Sequence, residues 1–221
     1  MCAAISPSRN YLESETTSRM AHNLSLALKN YSDKNLILVS SDSVYGDESG
    51  LYNENSNINP NSFHGIAQVT RELILENTKL KNLAILRCCA IYGLDDTHNS
   101  YGPNRFFRNI LQSEKIKIFG NGLNKRDHVY IEDVVSIIDR VSNTNFSGIL
   151  NVVSGTSYSF FEVANIVNEI FDSKSEIEFT GDEGTIREKN FDISKLINSF
   201  PEHQITSLRD GLKMIKNKVK Y

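Results

Sequence analysis

Two serines and a histidine stand where an α/β protein places working groups. Ser40 and Ser41 close the apolar run 36–39, Leu-Ile-Leu-Val. Ser62 can cap the next helix, whose first turn then carries His64. Ligands of open α/β sheets sit outside the carboxyl ends of strands, so Ser41 and that first turn face one crevice. Asp42 reads as a turn-capping carboxylate. The segment 95–105, DDTHNSYGPNR, is unusually polar. Long loops in compact domains are often functional, and His98, Asn99, Asn104 and Arg105 could line a pocket there. Cys88 and Cys89 follow an apolar run, and buried cysteines ordinarily pack rather than react.

The elements that must position these groups alternate between strand and helix periods. Met20, Leu24, Ala27 and Leu28 recur at helical spacing over 13–30. The apolar run 36–39 fits a strand over 36–41 buried on both faces. A polar turn covers 42–61. A helix follows over 62–78, with Phe63, Ile66, Val69, Leu73 and Ile74 as its apolar residues. Residues 83–87 read as another strand. Pro103 suits the first turn of a helix through Gln112. Residues 115–119 alternate as a half-exposed strand, and 120–127 read as a turn. Asp133 begins a helix with Val134, Ile138 and Val141 on one face, and 149–153 is a strand. Ser159 and Glu162 form a capping box ahead of Val163, Ala164, Val167, Ile170 and Phe171. Residues 176–180 alternate again, and the tail 192–221 reads as helical with a basic end. Such alternation predicts an α/β fold with a parallel sheet.

The text SSDSVYG at 40–46, followed by Pro60, Ser62 and Gly65, resembles the extended short-chain dehydrogenase/reductases, the NAD-dependent sugar-nucleotide epimerases and dehydratases. Their usual text is S-S-x-x-V-Y-G, a polar loop, then Y-G-x-x-K at a helix start. The resemblance puts Ser41 at the catalytic Ser/Thr, His64 at the catalytic Tyr and Gln68 at the Lys. In the family the Lys lowers the Tyr pKa, because a phenol titrates near ~10. A histidine titrates near ~6.5 and needs no such help. His64 as acid/base with Gln68 as a neutral ribose donor is therefore one reading, and His64 as a polar helix-start residue after loss of proton transfer is the other. Ser43 replaces the Glu of the dehydratases' Asp-Glu pair, which argues against dehydration.

The same resemblance implies a cofactor, NAD or NADP, with Ala3, Ala4, Ser40 and Gln68 along it. KRDHVYIEDV at 125–134 is similar to the family's R-D-x-x-x-V-x-D-V. It implies that Arg126 grips a substrate diphosphate, a task that suits a planar donor fork, and that Asp127 orients it. Asn104 and Arg105 are implied at the sugar. Two family residues are replaced: the Asn before V-Y-G is Ala90, and the Arg before Gly181-Asp182 is Phe179.

No G-x-x-G-x-x-G or G-x-G-x-x-G occurs, so the helix N-terminus that cradles a pyrophosphate is not among these residues. The expected architecture is a partial Rossmann-type parallel sheet, its N-terminal strands and Gly-rich loop missing, with a small α/β substrate-binding region. Residues 1–93 and 124–154 are expected in the incomplete core, and 94–123 and 155–221 in the substrate-binding region. The helices over 13–30 and 62–78 resemble those that pair across the family's dimer. A homodimer, or a partner supplying the missing strands, is expected.

Composition narrows the classes. Of 221 residues, 39% are hydrophobic and 23% charged, and the net charge is −3, which gives no nucleic-acid or membrane-surface footprint. No apolar run approaches ~20 residues, and the first residues lack a basic region leading into an apolar core. Cys2, Cys88 and Cys89 make no C-x-x-C pair, so neither a disulfide framework nor a zinc site is expected and a reducing cytoplasm is the default. Two functions follow: an epimerase or oxidoreductase acting on a nucleoside-diphosphate sugar, inactive without a dinucleotide-binding half, or a non-catalytic sugar-nucleotide-binding homologue, subunit or fragment.

Overall fold

Asn10 opens the first helix, α1 (Tyr11–Leu28), its side chain accepting the Glu13 N–H at 3.0 Å. Next come β1 (Asn35–Ser41), a 3-10 turn (Asp42–Tyr45), β2 (Gly50–Tyr52), α2 (Phe63–Glu76), β3 (Asn82–Cys88) and β4 (Ala90–Tyr92). The middle holds α3 (Pro103–Leu111), β5 (Ile116–Phe119), β6 (Lys125–Tyr130), α4 (Ile131–Ser142) and β7 (Gly148–Val152). β8 (Ser157–Ser159), α5 (Phe160–Ile170), β9 (Ile177–Thr180), β10 (Lys189–Phe191), α6 (Ser194–Ser199) and α7 (Leu208–Lys218) complete the order. The computed structural model describes residues 1, 4–31, 33–78 and 80–219. Ala3, expected beside a dinucleotide, lies outside the described residues.

β1, β3 and β7 form a parallel sheet in that order, with Leu38 opposite Ile85 and Ile85 opposite Ile149. Apolar and β-branched residues make these runs strands because both sheet faces are covered. On one face Leu38 and Ile85 pack with Leu75 of α2 and Leu24 and Leu28 of α1. On the other, Ala84, Leu86 and Leu150 meet Val134, Ile137 and Val141 of α4. Each fully buried side chain of this kind contributes ~1.5–3 kcal/mol. The outer edge of β1 meets Met1, whose carbonyl accepts the Val39 N–H at 3.2 Å and whose amino group bonds the Ile37 carbonyl.

A second core lies toward the other end. Phe106, Phe107, Ile116 and Ile118 pack with Val163, Val167, Leu212 and Ile215. The capping box that starts α5 is present, with the Glu162 N–H on the Ser159 hydroxyl at 3.1 Å and the Ser159 N–H on the Glu162 carboxylate at 2.7 Å. The segment around α6 departs from the expected division: Phe191, Leu196 and Phe200 pack into the first core.

Three local expectations are corrected. Lys125, Arg126 and Asp127 are strand residues of β6 rather than turn, because they pair antiparallel with β8. The tail holds two helices, with Pro201 between them. In α2 the apolar residues read at helical spacing include Phe63, Ile66 and Leu73, which are exposed, while Gln68, Arg71 and Glu72 are buried. Small residues bring that polar face close: a Cβ on Gly65 would stand 2.5 Å from the Ser43 carbonyl oxygen. No helix among the described residues is long and apolar enough to cross a membrane.

Candidate functional site

A cleft of about 840 Å³ opens at the carboxyl ends of β1 and β3, between the two cores. Ser41 ends β1 there. Its hydroxyl accepts the Ser43 N–H at 3.2 Å, which caps the 3-10 turn, and lies 3.4 Å from an Asp42 carboxylate oxygen. Opposite, α2 starts when Ser62 accepts the Gly65 N–H at 3.1 Å, and this sets His64 on the cleft wall. Gln68 lies one turn on, and Arg71 nearly another, on the same helix face. All three line the cleft. Arg71 donates to the Gln68 carbonyl oxygen and, at 3.2 Å, to the Val39 carbonyl. With its oxygen held, Gln68 offers the cleft its amide nitrogen.

His64 is half-buried. Burial pushes its pKa below the ordinary value; the Asp42 charge pulls it up and the Arg71 charge pushes it down further. The ring is therefore neutral at pH 7. Its Nδ1 accepts the Ser8 N–H at 3.4 Å, so the proton of the neutral ring sits on Nε2.

Beneath the cleft floor runs a buried polar network that the sequence reading missed. Arg87 of β3 meets Glu72 of α2, with Nη2 2.7 Å and Nε 3.2 Å from the two carboxylate oxygens. Ser40, which also lines the cleft, donates its hydroxyl to the same carboxylate. Arg87 also donates to the Tyr45 hydroxyl at 3.0 Å, and that hydroxyl donates to Asn151 at 2.8 Å. Burial works against the Arg87 charge, but the Glu72 bonds outweigh it and raise its pKa.

β6 presents Arg126, His128 and Tyr130 to the cleft at strand period. Arg126 pairs with Asp47 at 2.9 Å. Asp127 points the other way. It accepts the Ser154 and Gly155 N–H groups at 2.8 and 2.7 Å and the Cys89 thiol at 3.3 Å. It therefore shapes the loop after β7 and does not orient Arg126. Burial, and then the Asp127 charge, raise the Cys89 pKa well above its usual value, so this thiol stays protonated and packs.

Asn104 borders the cleft, yet its amide is occupied: it accepts the Gly93 N–H at 2.9 Å and donates to Asp96 at 3.0 Å. It organises the loop after β4. Arg105 lies outside the cleft lining, over the Tyr101 ring with donors on the Asn99 carbonyl. Its expected sugar contact is corrected on that ground. His98 and Ala4 line the cleft. No cluster of three metal-ligating side chains occurs among the described residues.

The model of the NAD dependent epimerase/dehydratase family matches residues 2–152. The chain belongs to that family. A curated relative described as an uncharacterized UDP-glucose epimerase, YtcB of Bacillus subtilis, is 28% identical over 192 residues, covering 84% of this chain and 60% of the relative. The chain spans 52–63% of the length of the first four curated relatives. Among solved structures, UDP-glucose 4-epimerase from Thermotoga maritima with UDP-glucose superposes with a TM-score of 0.87 at 23% identity, over 97% of this chain and 74% of that one. UDP-glucuronic acid 4-epimerase from Bacillus cereus, in complex with UDP-glucuronic acid and NAD, gives 0.79 at 22% identity over 91% and 66%. These likenesses establish the family's Rossmann-type α/β fold.

Proposed function

We propose that this chain forms the sugar-nucleotide and acid/base side of an NAD(P)-dependent epimerase acting on a nucleoside-diphosphate sugar. The observation that carries this is the convergence of Ser41, His64, Gln68 and Arg126 on one cleft at the strand ends. Arg126 is the donor suited to the diphosphate, which would displace Asp47 from it. Ser41 bonds the sugar hydroxyl at the reacting carbon, and His64 exchanges that hydroxyl's proton. A histidine does this at neutral pH without a cationic helper, which accounts for Gln68 at the family's lysine position.

The residues present fit the nicotinamide-ribose end of the cofactor: Gln68, its oxygen anchored by Arg71, has N–H groups for ribose hydroxyls, and Ala4 borders the same space. When bound, the nicotinamide supplies the hydride acceptor. Ser41 and His64 hold the sugar oxygen and manage its proton. The substrate is taken as a UDP-type sugar on the strength of the relatives' names, and the working form as a homodimer through α1 and α2.

A second reading is favoured by one contact. The Ser8 N–H on Nδ1 leaves Nε2 protonated, so the resting ring donates to a ligand and does not accept its proton. A chain fixed in that tautomer binds the sugar nucleotide without chemistry. The ¹⁵N shifts of His64, with and without UDP-glucose, decide between the two. Transfer of the ring proton to Nδ1 on binding, with C4 epimer formed when NAD is present, supports the enzyme. Binding with Nε2–H retained and no epimer in a protein that includes a dinucleotide-binding turn supports the binding homologue.

A further inference from the structure

Lys189 is a fully buried cation that neither the sequence reading nor the proposed chemistry uses. It sits on β10, far along the chain, yet its ammonium reaches into the turn after Ser41. It donates to the Asp42 carbonyl and to the Gly46 carbonyl, both at 2.8 Å, and pairs with the Asp42 carboxylate at 2.9 Å. Three donors meet three acceptors, so the ammonium is satisfied without water. Around it stand the rings of Tyr45, Tyr52 and Phe191, with centroids at 6.0, 5.5 and 5.7 Å. Aromatic faces at such distances favour a desolvated cation. β10 is held in place by its parallel pairing with β2, Lys189 opposite Gly50.

We propose that Lys189 is a positioning residue for the site: from the C-terminal segment it clamps the turn 41–46 and neutralises Asp42, fixing both the Ser41 hydroxyl and the charge that faces His64. This rests on the reading of Ser41 and His64 as the groups that handle the sugar hydroxyl. The turn is tied across by Lys189, from Asp42 to Gly46, and is also anchored by the Asn59 N–H on the Val44 carbonyl at 3.0 Å and by the buried Tyr45 hydroxyl. Its Gly46 takes a φ of 77°, and the Gly46 N–H donates to the Ser43 carbonyl at 3.1 Å. The groups bearing on His64 are Asp42 from the turn and Arg71 from α2, with Ser8 against Nδ1. Of the two charges, Asp42 is the one whose strength Lys189 sets. A paired Asp42 presents His64 with a dipole, and an unpaired one with a full negative charge, which attracts a proton more strongly.

The test is a double-mutant cycle on the NMR titration of His64 in this chain, using Lys189→Met, Asp42→Asn and both together. Because it reads a ring and not turnover, it stands even if the chain proves to be the binding homologue. Lys189→Met is expected to raise the His64 midpoint by about half a unit or more. Asp42→Asn is expected to lower it, and adding Lys189→Met to Asp42→Asn is expected to change nothing further. An unmoved midpoint in Lys189→Met overturns the proposal, as does an undiminished Lys189 effect when Asp42→Asn is already in place. If Lys189→Met alone does not fold, the comparison of Asp42→Asn with the double variant, which leaves no buried charge alone, decides. Equal midpoints there, together with folding restored by removing the Asp42 charge, support the clamp; unequal midpoints, or a double variant that stays unfolded, overturn it.

Discussion

The guanidinium of Arg126 lies 2.9 Å from the Asp47 carboxylate at the mouth of the cleft. On the proposed function, a diphosphate entering the cleft would meet a donor fork already engaged by a weaker, singly charged competitor. The pair is partly exposed, so it adds little to stability. Arg126→Ala is expected to abolish the rise in melting temperature caused by a UDP-sugar, and Asp47→Asn to strengthen binding several-fold. Thermal melts and titration calorimetry against a panel of UDP-, dTDP- and GDP-sugars measure the two effects. Equal affinity in wild type and Arg126→Ala would remove Arg126 from the binding site.

The half-buried His64 has its pKa held below the usual value, first by burial. The limb of the turnover profile that reports loss of activity in acid should therefore lie below ~6.5. His64→Asn is expected to cost on the order of a hundredfold in turnover, the usual scale for a general acid or base. Steady-state epimerisation of UDP-glucose across pH 5 to 8, in a protein that includes a dinucleotide-binding turn, reads both effects. Unchanged turnover in the variant assigns the ring to structure.

What the sequence disclosed followed from short-range rules. The strand ending at Ser41, the cap at Ser62 and the box at Ser159 and Glu162 were all legible, because each depends on neighbours within a turn. The burial of α2 was not. Phe63, Ile66 and Leu73 mark an apolar face, but the side that meets β1 and β3 carries Gln68, Arg71 and Glu72. Nothing local tells that a carboxylate on a helix will pair with Arg87 in a central strand. The Lys189–Asp42 pair is likewise invisible from either neighbourhood, since 147 residues separate them. Asn104 shows the converse: its type and loop fit a ligand contact, while its actual partners are the loop's own Gly93 and Asp96.

The Glu72–Arg87 pair, both partners nearly inaccessible, carries a stability prediction. Removing one member leaves the other charged and buried. Glu72→Gln or Arg87→Met is therefore expected to cost about 3–5 kcal/mol, and the combined change less than the sum of the two. Urea unfolding of the three variants measures this. Additive losses would mean that the two side chains act independently.

His128 ties stability to pH. Burial, and then the Arg126 charge, hold its pKa at about 4. In the unfolded chain the ring titrates near ~6.5. Between these values the unfolded chain takes up a proton that the folded chain refuses. The contribution of the neutral ring is therefore complete above about pH 6.5 and is lost as pH falls toward 4. A gap of this size corresponds to roughly 3 kcal/mol. The difference in unfolding free energy between wild type and His128→Phe should narrow in favour of the variant as pH falls from 7 to 4. Parallel curves would show that the ring is protonated without penalty.

The remaining prediction concerns assembly. α1 and α2 pack against each other and leave Leu12, Met20, Leu26, Phe63, Ile66 and Leu73 exposed. On α2, positions 63, 66 and 73 fall on one side of the helix, opposite the buried Gln68 and Glu72. Exposed apolar side chains gathered on one helix face are where an association site is expected. A second copy related by a two-fold axis would lay the same helices against each other and bury the patch on both chains at once. Light scattering coupled to gel filtration should give a dimer for the wild type. Ile66→Glu with Leu73→Glu should give a monomer, because each new carboxylate would be desolvated at the seam without a partner. The cleft lies on the opposite side of α2, so sugar-nucleotide binding should survive in the monomer within a few-fold. A wild-type monomer, or a dimer indifferent to both charges, would place the contact elsewhere on the surface.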